Sequence, residues 1–207
     1  WLTALRNSVL IALVSSSIAL LLGSLAAYGL VRGTFRGRPL IEGVFIAPLV
    51  VPSVIIAVAL YIFFARIGLL GTMPGLIIGH TVLGVPYVVL VMSVAIRSFD
   101  HRIEQVALSL GASTALMFRR VLLPNLLPSV FAAWIFALIA SFDEVIVTHF
   151  IAGPYDTIPK RMFNELVLQV NPTITAIATL LIALSVVAIG IIVLLLRRGG
   201  IRMQSLT

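Results

Sequence analysis

Two adjacent acids, Asp143 and Glu144, stand inside an otherwise apolar run from Leu126 to Phe150. A carboxylate at the centre of a membrane helix costs roughly 2.5–3.5 kcal/mol on insertion scales, so such acids face a bundle interior or a watery cavity. Neighbouring helical positions project about 100° apart, so the pair does not act as one bidentate clamp. One acid can face a pathway while the other meets a neighbouring helix or a partner chain. Two chemistries are open. Facing an outward-open cavity, the carboxylates would attract a cationic amine. In a structural ion pair they would meet Lys160 or Arg161 from the next connection, or an arginine of another subunit. Tyr61, Tyr87 and Phe142, with Phe63, Phe64 and Trp134, could wall an alkylamine, whose ammonium groups favour aromatic faces. The alternative for each ring is packing or interface anchoring. His80, His101 and His149 are scattered without ligand spacing, and the chain has no cysteine, which argues against a metal site and excludes a disulfide or thiol nucleophile.

Enzymatic chemistry finds no residues to carry it, so no catalytic residue is assigned. A phosphate-binding loop requires Gly-x-x-x-x-Gly-Lys followed by Ser or Thr. The single lysine, Lys160, sits in Ile158-Pro159-Lys160-Arg161. ATP hydrolysis by that route therefore belongs to another polypeptide. Neither a Gly-x-Ser-x-Gly elbow nor a His-Glu-x-x-His pair is present.

The elements that must position these residues are membrane helices. Of 207 residues, 61% are hydrophobic and only 10% charged, and the mean hydropathy is +1.20. A soluble domain carries about 45–50% apolar and roughly 25% charged residues, so this chain could not clothe a water-facing surface. A spanning helix needs about 20 mainly apolar residues. Five stretches qualify: Ser8–Val31, Val44–Ala65, Leu76–Ile96, Leu126–Phe150 and Thr173–Leu196. The fold class is thus all-α and integral to the membrane, with residues 1–207 forming one transmembrane domain. The net charge of +7 reflects orientation rather than nucleic-acid binding, because the arginines cluster between apolar runs. Ten lie in the connections after the first and third spans and in the tail, against four basic residues on the other side. That bias predicts a cytoplasmic C-terminus. Residues 97–124 are then a cytoplasmic loop of one or two short helices, and 149–172 an external loop with a short helix near 161–168. Pro48, Pro52, Pro86 and Pro128 fall inside spans, where proline kinks or breaks a helix or simply aids packing. The chain opens on Trp1, from which a natural start upstream is expected.

The loop carries the most specific pattern. Gln105-Val106-Ala107, Gly111, Val121 and Leu123-Pro124 keep every spacing of the Glu-Ala-Ala, three residues, Gly, nine residues, Ile-x-Leu-Pro signature. In this it resembles ATP-binding-cassette importer permeases. Gln105 stands at the signature glutamate, Val106 at its first alanine, and Glu104 lies one residue early, about 100° around a helix. A short helix, a glycine that allows a left-handed turn and a second helix ending at Leu-Pro make a knob able to enter a groove on a partner. Ser141 to Thr148, with Gly153-Pro154, Ile158-Pro159 and Asn171-Pro172-Thr173, is similar to the second permease of spermidine/putrescine importers.

The resemblance implies six spans in the full protein and a bacterial inner-membrane location. It also implies a homologous second permease, two cytoplasmic ATPase subunits holding ATP and Mg, and an external solute-binding protein. No cofactor is expected in this chain. Glu104, Gln105, Ala107, Gly111, Val121, Leu123 and Pro124 would couple to the ATPases. Asp143, Glu144, Tyr61, Tyr87 and Phe142 would line the path of a polyamine. A phosphonate or an amino-acid-like solute is the alternative cargo. A self-contained ion-coupled transporter or channel, with the two acids as its ion site, is the alternative machine.

Overall fold

The computed structural model describes residues 1–168 and 176–187. The helices are α1 (Leu2–Arg32), α2 (Arg38–Val50), α3 (Ser53–Ile67), α4 (Met73–Ser98) and α5 (His101–Ser109). They continue with α6 (Thr114–Met117), a π turn over Phe118–Leu122, α7 (Leu123–Phe142), α8 (Ile146–Ile151) and α9 (Ile158–Leu168). A last described helix, α10, covers Ala176–Val187. The described residues contain no strand. The chain divides into two compact units, Trp1–Arg161 and the part from Met162 onward. In the second, the described backbone is the end of α9 and the apolar α10.

Along α1 the small residues Ser8, Ala12, Ser15, Ala19, Gly23 and Ala27 are buried, while Leu13, Leu21, Leu22 and Leu25 point outward. A water-soluble helix would do the reverse. Lipid tails are as apolar as leucine, so outward leucines cost nothing and small inward residues let backbones approach. At Gly23 the approach is so close that a Cβ would sit 2.7 Å from Cβ of Val88. α1 packs most extensively on α4, and both pack on α7, which makes a three-helix core. A second cluster joins Ile11, Ala57, Phe64, Leu76, Val147 and Ile151 from α1, α3, α4 and α8.

Three long helices, Leu2–Arg32, Met73–Ser98 and Thr114–Phe142, are apolar enough to cross a membrane, and a bent pair makes a fourth candidate. That pair covers the expected span Val44–Ala65, with a break at Pro52, one of the prolines expected to kink or break a helix. α2 and α3 meet at 106°. Pro52 lacks the N–H that would continue the helix and forces the residue before it out of helical geometry. Val51 is accordingly extended, at φ −72° and ψ 130°. Pro86 and Pro128, in contrast, lie inside helices that run on through them. The expected span Leu126–Phe150 is also interrupted, since α7 stops at Phe142 and only the six-residue α8 follows. Of the expected fifth span, 176–187 is helical; the remainder, and the tail arginines Arg197, Arg198 and Arg202, lie outside the described residues.

Candidate functional site

Asp143, Glu144 and Val145 form the gap between α7 and α8, so the two acids occupy a break rather than the middle of a helix. Glu144 uses the gap locally: its Oε1 accepts the N–H of Val147 at 2.7 Å, satisfying a donor of the first turn of α8. Beside the break lies a cavity of about 360 Å³, within the usual range for small-molecule sites. Its walls include Pro48 and Ser53 from either side of the α2–α3 bend, Leu83 and Tyr87 of α4, and Asp143 with Glu144. Both interruptions of the bundle therefore open on the same space.

Of the residues expected along a pathway, Tyr87, Asp143 and Glu144 come together here. Tyr61 and Phe142 are not among the cavity walls; Tyr61 lies on the outside of α3, 45% exposed. Phe64 is buried in the second core cluster, and Trp134 donates from Nε1 to Ser17 Oγ at 3.3 Å. Of the cations proposed as structural partners of the acids, Lys160 is engaged elsewhere. Lys160 Nζ donates to the carbonyls of Gly153 (3.0 Å) and Tyr155 (2.9 Å) and pairs with Asp156 at 3.2 Å. Arg161 stacks over the Trp1 ring at 4.8 Å.

Behind the break runs a polar network that the sequence did not announce. His80 Nδ1 is 2.8 Å from Ser141 Oγ, Nε2 is 2.9 Å from Thr148 Oγ1, and Ser15 Oγ is 2.9 Å from Ser141 Oγ. All four residues are buried. Their signal was available in kind, because polar side chains in apolar spans must find one another. Their pairing across four helices was not.

The Gly111 loop is built as a helix-capping turn. Gly111 takes φ +87°, a left-handed value that favours glycine. Its N–H bonds the Leu108 carbonyl at 3.0 Å, and the Ala112 N–H bonds that of Ala107 at 3.1 Å. This is the Schellman pattern, which consumes the free carbonyls at the end of α5. Ser113 then caps α6 by accepting the Leu116 N–H at 3.3 Å. Ala107 and Val121 pack against the three-helix core, Leu123 is half-buried, and Pro124 is exposed in the first turn of α7. Gln105, Val106 and Leu110 face outward, Leu110 with 84% exposure.

Glu104 does the opposite. Its side chain is 1% exposed and ion-paired with Arg32 Nη2 at 2.6 Å. Arg32 Nε donates to the same carboxylate at 2.8 Å and Tyr28 Oη at 3.2 Å, while Arg32 Nη2 also donates to the Phe99 carbonyl at 2.8 Å. Its charge is thus spent inside the chain, tying α5 to the end of α1. Arg32 was missed because 72 residues separate it from Glu104.

Residues 19–200 match the family described as binding-protein-dependent transport system inner membrane component. The spermidine/putrescine transport system permease protein PotC of Escherichia coli (strain K12) is 32% identical over 189 residues, covering 91% of this chain and 72% of PotC. The putrescine transport system permease protein PotI of the same strain is 33% identical over 199 residues, covering 92% and 69%. Among solved structures, the inward-facing MetNI methionine ABC transporter has a chain that superposes with a TM-score of 0.75 at 19% identity, covering 94% of both chains.

Proposed function

The chain belongs to the binding-protein-dependent transport system inner membrane component family, and from that premise we propose that it is one of two permease subunits of an ATP-driven polyamine importer. The observation that carries the cargo assignment is the meeting of Asp143, Glu144 and Tyr87 on one cavity. A carboxylate and an ammonium group about 4 Å apart attract by roughly 4 kcal/mol at an effective dielectric near 20. The Tyr87 ring adds a face that favours the same cation. An anion such as a phosphonate would meet two like charges there. The names of the relatives PotC and PotI agree with a polyamine.

In this reading an external binding protein delivers the amine to the cavity while it opens outward. Two partner ATPases in the cytoplasm hold ATP and Mg. The 97–124 loop and the C-terminus lie on that cytoplasmic side of the inner membrane. The knob around Gly111 docks in the ATPase through its outward residues Gln105, Val106 and Leu110. Glu104 and Ala107, turned inward, fasten the knob to the bundle.

The test is uptake of labelled putrescine and spermidine by the complete transporter carrying Asp143→Asn, Glu144→Gln or both. Each substitution keeps size and hydrogen bonding while removing charge. We expect uptake to fall in each single variant and further in the double one, with the yield of assembled complex unchanged. Full uptake by the double variant refutes the assignment, and loss of yield in step with uptake moves the acids to a structural role.

A further inference from the structure

In a helix that continued past Phe142, the Ser141 carbonyl would accept the N–H of Val145. α7 stops, and that carbonyl oxygen lies instead 3.1 Å from His80 Nδ1. Inside a bilayer a released carbonyl has no water to turn to, so the break persists only where protein supplies the missing partner. The same ring reaches across the gap, because its Nε2 is 2.9 Å from Thr148 Oγ1 in α8. In the tautomer protonated at Nδ1 the ring donates to that carbonyl, and Nε2 is left to accept from the Thr148 hydroxyl. That hydroxyl is also 3.1 Å from the Glu144 carbonyl, and its one proton serves one acceptor at a time. His80 therefore grips the chain on both sides of Asp143 and Glu144, and Ser15 anchors the grip to α1.

The ring itself stands outside the cavity wall and is 1% exposed. Leu83 and Tyr87, three and seven residues further along α4, do line the cavity. Such spacing puts all three on one helical face. One stripe of α4 thus supplies both a cavity wall and the strut behind the break.

We propose that His80 is a positioning residue that holds the α7–α8 break open and so presents Asp143 and Glu144 to the cavity. Its effect on transport rests on reading that cavity as the cargo path, whereas its effect on the break does not.

The chain's lack of cysteine makes the break directly measurable. Asp143→Cys in the assembled transporter is treated with a cationic, water-soluble methanethiosulfonate, and the rate of modification is followed. We expect His80→Phe to slow it by about tenfold or more, since thiol modification follows exposure. His80→Asn, whose amide can still reach Ser141, should recover most of the rate. Where Asp143 and Glu144 are intact, His80→Phe should raise KM for labelled putrescine by roughly tenfold while changing kcat less, the mark of lost binding geometry. Equal modification rates with His80 and with the His80→Phe substitution, or no modification even with His80 present, would overturn the proposal. If the cargo is not a polyamine, putrescine uptake is absent with His80 present while the difference in modification remains, which separates the two failures. Should His80→Phe not assemble, Thr148→Val releases the α8 side of the gap while leaving the Ser141 carbonyl contact in place. Slower modification in this variant supports the strut, and an unchanged rate overturns it.

Discussion

The Arg32–Glu104 pair makes an asymmetric prediction about stability. Glu104 has a side chain 1% exposed, whereas Arg32 is 14% exposed and keeps a second acceptor, the Phe99 carbonyl at 2.8 Å. Arg32→Gln strands a buried carboxylate with the Tyr28 hydroxyl as its remaining close donor, since His101 is 3.6 Å away and half-exposed. Breaking a buried pair in this way costs about 3–5 kcal/mol. Glu104→Gln strands the arginine, but that guanidinium keeps Phe99, can reach water and can still bond the amide oxygen. Its loss should be nearer 1–2 kcal/mol, comparable to one charge-assisted hydrogen bond. The double variant removes both charges and leaves a neutral pair, so it should be more stable than the sum of the single losses by about 2 kcal/mol. Thermal unfolding of the purified transporter in one detergent, with all four cycle members run together, measures this. Near 2–4 °C per kcal/mol for a chain of this size, Arg32→Gln should melt about 10 °C low and Glu104→Gln less than half as far. Equal shifts for the two single variants, or strict additivity in the double, would show that Glu104 is not the desolvated partner.

Two further outcomes follow from backbone geometry. Gly111→Val forces a branched side chain into φ +87°, at a cost of at least about 1–2 kcal/mol for the left-handed conformation; nothing lies within 4 Å of the added Cβ, so the damage stays in the turn. Membrane insertion should be normal and ATP-driven uptake lost, as read by membrane yield against uptake, and normal uptake refutes it. Gly23→Ala places a Cβ 2.7 Å from Cβ of Val88 and should destabilise the bundle by about 1–3 kcal/mol through overpacking. Val88→Gly added to it should restore part of the melting temperature, whereas Val88→Gly alone should lower it.

Apolar runs made the long helices legible, because twenty residues without charge in a chain this poor in charge have little alternative to a membrane helix. They hid the interruption after Phe142. Ile146–Ile151 is as apolar as what precedes it, and only Asp143 and Glu144 marked the place. The bend at Pro52 was legible as a weakness but not as a 106° turn, since Pro86 and Pro128 present the same chemistry inside unbroken helices. Neighbouring packing decides between those outcomes. Around Gly111 local rules sufficed, because capping is settled within six residues. The inward turn of Glu104 was foreshadowed by its offset of one residue from the signature, but its partner Arg32 belongs to another helix. From sequence His80 reads only as a potential metal ligand, because a network joining Ser15, Ser141 and Thr148 exists only once four helices are assembled.

Continuity of the backbone from Thr114 to Phe142 has a mechanical consequence. Through the π turn, where the Leu123 N–H bonds the Phe118 carbonyl, the helix runs 29 residues without a break. At about 1.5 Å per residue that is a rod of roughly 40 Å. One tip is beside the Gly111 turn and the other is the edge of the gap holding Asp143. A rod pivoting at its middle moves its tips in opposite directions, and a tilt of about 5° displaces each tip of such a helix by nearly 2 Å. If the Gly111 knob docks on the ATPases as proposed, a pull at the Thr114 end would reach the carboxylates as a push along one continuous backbone.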